Sequence, residues 1–227
     1  MKYLVIALLL LPTTVIAQEA PPVAVDRASY HVPAFRNELI AVTNVYIPPG
    51  RQAGYHIHSL DQISVVVGDA DQAGQELGGQ PYPARRTPRG NVGYAPFSKK
   101  AMTHRVHNQG PTPFHNIVTS ILYPEPGRFT AGSRDDVPAY KQVLDNDRVR
   151  VWRLALEPGE QAAAITQKAP GLRIVVSGGE IVEAVPGQPE QAMWLKVGDF
   201  FWKDAGTTRA VRNTGTTRIE IVEYELK

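Results

Sequence analysis

Cysteine is absent from the 227 residues. Disulfides, thiolate metal sites, cysteine nucleophiles and lipid-modified cysteines are therefore excluded. An excess of one charge is lacking too: 24 Lys plus Arg against 22 Asp plus Glu leave a formal net charge of +2. A dedicated nucleic-acid binder usually shows a basic stripe, so this balance argues against one. Apolar runs are short except at the start of the chain, and none reaches the roughly 20 residues of a membrane span. Sustained helical periodicity is missing after that first run. What is present is 19 Gly and 19 Pro among short Val/Ile runs. That combination predicts a turn-rich, all-β protein.

Residues 1–17, MKYLVIALLLLPTTVIA, have a cationic Lys2, an apolar stretch Tyr3–Leu11 and a small-residue end at Ala17. They read as a secretory signal peptide cut before Gln18. The mature chain is then expected to be periplasmic or secreted, with no membrane span after cleavage. A cysteine-free exported chain suits a bacterial periplasm.

The chain repeats itself. Asn37–Val42 leading to Pro49-Gly50 matches Asn146–Val151 leading to Pro158-Gly159, offset by 109. Asn108-Gln109-Gly110 matches Asn213-Thr214-Gly215, offset by 105. Each unit reads as short strands punctuated by Gly/Pro turns, which predicts a barrel or double-sheet jelly roll. The expected layout is a lead-in over 18–35, an N-terminal unit over 36–123, a linker over 124–141 and a C-terminal unit over 142–227. Asp69–Arg89 reads as a loop within the first unit.

His56-Ile57-His58 lies in an extended run, and a second run begins at His104. Residues two apart on a strand share a face, so His56 and His58 aim together. By the same parity Leu60, Gln62, Ser64 and Val66 share that face, and Asp61 points away unless a bulge resets the phase. Two imidazoles from one strand and a third from another can hold a first-row transition metal, leaving positions open for water or substrate. Ile63, Val65 and Val67 form an apolar row on the opposite face. Such a row needs a cover: the second unit, a homodimer partner, or the Asp69–Arg89 segment.

The spacing of these residues resembles the cupin superfamily. Gly50, five residues, His56-x-His58, three residues and Gln62 follow its first motif. Gly90, five residues, Pro96, then His104, three residues and Asn108 follow its second, with seven residues rather than four between Pro96 and His104. Gly159 to Gly178 and Gly198 to Asn213 repeat both motifs in the second unit. The resemblance implies two tandem cupin barrels, of the RmlC-like jelly-roll type. Carried over by position, it implies a metal set of His56, His58, Gln62 and His104. Gln62 stands where the family has glutamate; a neutral amide is a poor ligand, so Gln62 binds the ion or only a bound water, and Asp61 is the alternative. In the second unit the same positions hold Ile165, Gln167, Gly171 and Arg209, so that unit is expected to be metal-free. Arg209 either faces solvent or holds a carboxylate. His107 is expected at the surface, and no role is assigned to His31 or His115.

A divalent transition metal (Fe, Mn, Ni, Cu or Zn) in the first unit is the expected cofactor. It would serve a dioxygenase-like oxidoreductase, or an isomerase or lyase, acting on a small molecule. The loss of the family glutamate, which serves as a base in quercetinase-like cupins, brings three-histidine oxygenases nearer. It also admits a non-catalytic metal- or ligand-binding protein. A third reading makes the second unit a dimerisation barrel.

Overall fold

The computed structural model describes residues 19–227, and the signal peptide expected at 1–17 lies outside them. The first unit contains β1 (Val23–Ala24), β2 (His31–Arg36), β3 (Ile40–Ile47), β4 (His56–His58), β5 (Gln62–Gly68), β6 (Ala70–Glu76), β7 (Tyr82–Thr87), β8 (Val92–Ala95), β9 (Met102–Asn108) and β10 (Phe114–Ile121). They form two sheets, ordered β1-β4-β9-β6-β7 and β2-β3-β10-β5-β8. The second unit contains β11 (Tyr140–Asp145), β12 (Val149–Leu156), β13 (Gln161–Thr166), β14 (Gly171–Ser177), β15 (Gly179–Ala184), β16 (Gln191–Leu195), β17 (Phe200–Lys203), β18 (Thr208–Asn213) and β19 (Ile219–Leu226). Their orders are β11-β12-β19-β14-β17 and β13-β18-β15-β16. Apart from β1, each order in one unit becomes the other when the strand number moves by nine. The sequence repeat is therefore a repeat of topology, and the all-β, two-barrel expectation holds.

The repeated residues have a local reason. Gly50, Gly90, Gly159 and Gly198, which open the four motifs, all have positive φ, from 67° to 87°. Only glycine enters that region without steric cost, so each motif begins at a turn. Asn37 Oδ1 accepts from the amides of Leu39 and Ile40, and Asn146 Oδ1 does the same for Arg148 and Val149. Asn108 Nδ2 donates to the carbonyls of Ile47 and Thr112. Asn213 Nδ2 repeats this with Leu156 and Thr217.

Burial follows strand parity. Val45, Ile47, Val66 and Val118 fill the first barrel, and Leu154, Leu156, Val175 and Ile221 the second. The opposite faces of two sheets meet each other. Ile63, Val65 and Val67 join Ile117 and Ile121 in one buried cluster with Val149, Val151, Ile174 and Val222. The second unit is thus what covers the apolar row of the first.

One expectation about connecting segments is corrected and two gain detail. Asp69–Arg89 is largely the hairpin β6–β7, not a loop. The residues of β7 are exposed on both faces, so no alternation marked it as a strand. The lead-in is partly built into the barrel: β1 pairs in parallel with β4, and β2 pairs antiparallel with β3. The polar linker is partly packed. Val137 and Tyr140 enter the core of the second barrel, and Arg134 is buried.

Candidate metal centre

β4 and β9 are antiparallel neighbours, with His56 directly opposite His104. Along β4 the burial alternates, with His56 and His58 inside and Ile57 exposed. Pleat and register together bring the three rings to one place. Their centroids are 4.9 Å (His56–His58), 4.7 Å (His56–His104) and 4.8 Å (His58–His104) apart. One ligand nitrogen from each lies within 4.8 Å of the other two.

The hydrogen bonds choose the tautomers. His56 Nδ1 donates to the Gly54 carbonyl at 2.8 Å, which leaves Nε2 without a proton. Gln62 donates through Nε2 to Ser120 Oγ at 3.0 Å, so its Oε1 is turned to His58 Nδ1 at 2.7 Å. His58 therefore also presents a bare Nε2. That atom lies 3.0 Å from His104 Nε2. Two nitrogens bound to one ion at about 2.0–2.1 Å and near a right angle are separated by roughly 3 Å.

Burial is the main cause lowering the pKa of all three rings. It takes His56 to about 3, with the bond to Gly54 opposing and the neighbouring rings adding to the effect. It takes His58 to about 4 against the bond to Gln62, and His104 to about 4 with help from His58 and His31. The rings are neutral at pH 7, as metal ligation requires. The donor set fits a late first-row transition ion.

Gln62, expected in the ligand set, instead spends its oxygen on His58 Nδ1, holding the ring from behind. Asp61, the alternative ligand, faces the second unit. It accepts from Ser98 N and Tyr94 OH, both at 3.1 Å, and lies 3.3 Å from Arg148 Nε. His107 lies on β9 beside Gln109, away from the trio. His115 bonds Asn44 and packs against Gly198 of the second unit, where a Cβ would come within 2.6 Å of the ring.

Two neighbours were not marked by sequence. His31 on β2 is buried, with its ring 4.6 Å from that of His56. The ring of Phe97 lies 4.9 Å from that of His58. No motif spacing ties His31 to the trio, and Phe97 reads as ordinary core. A cavity of about 480 Å³ lies against Phe129, Asp147 and Arg150 and holds none of the trio. Smaller ones of about 210 Å³ and 350 Å³ both include Phe97.

The corresponding place in the second barrel is filled by charge. Arg209 Nη2 donates to Glu223 at 2.8 Å and to Gln167 at 3.2 Å. Arg173 Nε donates to Glu223 at 2.8 Å, and its Nη1 to Glu183 at 2.5 Å. Arg134 Nη1 also donates to Glu223 at 2.5 Å. Burial opposes ionisation of Glu223, but the three guanidiniums outweigh it and hold the carboxyl far below its ordinary value. Arg209 thus takes the carboxylate alternative and not the solvent one. Arg209 stands where the first unit has His104, Gln167 where it has His58 and Ile165 where it has His56; the carboxylates come from other strands.

No family model and no curated protein matches the sequence. The likeness is to solved structures. AerE from Microcystis aeruginosa aligns at 10% identity and TM-score 0.59, over 87% of this chain and 97% of that one. Salicylate 1,2-dioxygenase from Pseudaminobacter salicylatoxidans aligns at 14% identity and TM-score 0.56, over 83% of this chain and 71% of that one. Identities this low establish fold and leave activity open. With two barrels of matching topology and a positive-φ glycine opening each of the four motifs, the chain shares the two-barrel, cupin-like fold of these solved structures.

Proposed function

We propose that the first barrel holds a divalent transition metal through His56, His58 and His104, and that the protein acts there on a small molecule in a dioxygenase-like oxidation. The observation that carries this is the approach of two Nε2 atoms to 3.0 Å, one of them deprotonated by its Nδ1 bond to Gln62. When bound, such an ion supplies Lewis acidity and open coordination positions for oxygen-donor groups. The chain's own residues do the rest. Gly54 and Gln62 fix two ring orientations. Phe97 packs against one side of the His58 ring. The second barrel, with its sites filled by ion pairs, serves as a rigid backing for the first. The leader sequence at 1–17 supports an exported, periplasmic protein.

A second reading, a non-catalytic metal- or ligand-binding protein, is favoured by one observation. Gln62 cannot accept a proton at neutral pH, and among the described residues no carboxylate belongs to the ligand group.

Elemental analysis of the purified protein tests the site. About one transition ion per chain is expected, and its loss in both His56→Ala and His104→Ala. Full metal content in either variant overturns the assignment. Oxygen uptake on a panel of small hydroxylated compounds then separates the two readings.

A further inference from the structure

A fourth imidazole stands beside the trio. His31 on β2 lies directly opposite Val45, which fills the first barrel, and residues so paired share a face. The His31 ring is buried, and its centroid is 4.6 Å from that of His56, with the two planes tilted by 55°. It stands outside the ligand group: among the described residues, His56, His58 and His104 are the histidines that bring nitrogens within 4.8 Å of one another. Burial lowers its pKa against the opposing bond to Ser29, so the ring is neutral at pH 7.

One hydrogen-bonded frame sets His31 and His56 together. His31 Nδ1 donates to the Ser29 carbonyl at 2.9 Å, as His56 Nδ1 donates to the Gly54 carbonyl at 2.8 Å. Each bond reaches back two residues. Ser29 Oγ accepts from the Gly54 amide at 3.1 Å and ties the two segments to each other. Between Ser29 and His31 stands Tyr30, the only non-glycine at positive φ among the described residues, at 66°. A bulky side chain is strained there and persists only where its surroundings hold it, which is common at functional sites. The amide of Tyr46 donates to the Tyr30 carbonyl at 2.9 Å and supplies part of that hold.

We propose that His31 is a positioning residue of the metal centre: its ring packs against His56 and holds that ring on the Gly54 carbonyl, with Nε2 turned to the other two histidines. The last torsion of an imidazole is broad, so a single hydrogen bond leaves the ring room to turn. A second ring packed at its side removes that room. The strained turn at Tyr30 serves to place this second ring. The inference deepens the metal reading and rests on it for the ion; the order of the rings is present without one.

Side-chain nitrogen NMR of the chelated protein, followed by titration with Co²⁺, tests it in the wild type, His31→Ala and His31→Phe. Without metal, His56 is expected as the Nδ1–H tautomer in the wild type and as a mixture of both tautomers in His31→Ala. His31→Phe supplies a flat ring and should restore the wild-type pattern. Co²⁺ affinity should fall about tenfold in His31→Ala, with shifted visible absorption bands, and return in His31→Phe. His31→Leu should show the same two changes as the alanine variant and serves if that variant does not fold. An unchanged His56 tautomer in His31→Ala, or unchanged Co²⁺ affinity, would overturn the inference. So would a folded His31→Phe protein that restores neither, since His31 would then act through its nitrogens and not by packing. A wild-type protein that binds no Co²⁺ removes the function proposed above, whereas the His56 tautomer in the chelated samples still decides the role of His31.

Discussion

Asp61 of the first barrel lies 3.3 Å from Arg148 Nε of the second, with both side chains buried at the interface. Asp61 also holds the amide of Ser98, the residue after Phe97, whose ring packs on His58. A continuous set of contacts therefore runs from the second barrel to the histidines. Burial tends to raise the Asp61 pKa, but Ser98, Tyr94 and Arg148 together hold it below its ordinary value. Arg148→Ala removes the guanidinium that faces this buried carboxylate, which keeps its bonds from Ser98 and Tyr94, at a cost of about 1–3 kcal/mol. Urea unfolding measures it. The Asp61 contribution is full above the ordinary carboxylate range and fades as pH falls through the lowered folded value. The penalty of Arg148→Ala should therefore shrink on acidification, and a pH-independent penalty would contradict the pairing.

In the proposed site Gln62 orients His58 through its Nδ1. Gln62→Leu removes the acceptor for His58 Nδ1 and should weaken metal binding about 10- to 100-fold, the usual effect of losing such a partner. Gln62→Glu keeps an acceptor there and should retain affinity. Competition with a metal-sensitive dye reads both, and a Gln62→Leu protein with unchanged affinity would show that the bond is idle.

The histidines make the metal-free protein acid-sensitive. Their folded pKa values, about 3 for His56 and about 4 for His58 and His104, lie below the unfolded value of 6.5. Between those values the unfolded chain binds more protons, so stability is full above about pH 6.5 and falls as pH drops below it. The slope is at most about 1.4 kcal/mol per pH unit for each ring. Thermal midpoints from pH 7.5 to 5 should decline in the chelated protein and decline less in His56→Ala. Identical pH profiles would refute the assignment of the sensitivity to these rings.

Glu223 is the hub of the second barrel's charge cluster, touching Arg134, Arg173 and Arg209. Glu223→Gln should cost about 3–5 kcal/mol, because three buried guanidiniums lose their common counter-charge. Calorimetric unfolding tests the size of the loss. Metal content of the first barrel should not change, which separates a supporting role from a catalytic one.

Much was legible in the sequence wherever local geometry required a particular residue. Gly50, Gly90, Gly159 and Gly198 recur because each sits at positive φ in a turn that admits little else. Asn108 and Asn213 recur because each closes the same loop with the same bonds. His56 and His58 could be placed on one face because strand pleating repeats every two residues. β7 was hidden, because a strand exposed on both faces carries no alternation.

Tertiary structure alone decided the rest, and long-range pairing is the reason. Parity already turned Asp61 outward, but its partner Arg148, 87 positions later, meets it only across the interface. Arg209 turned inward because Glu223 and Gln167 converge on it from other segments. His31 reached the trio because β2 docks on β3, which no motif records. Gly and Asn at turns and imidazoles two apart are dictated by the backbone within a few bonds. The partner of a buried charge or a ring nitrogen is set only when distant strands close the barrel.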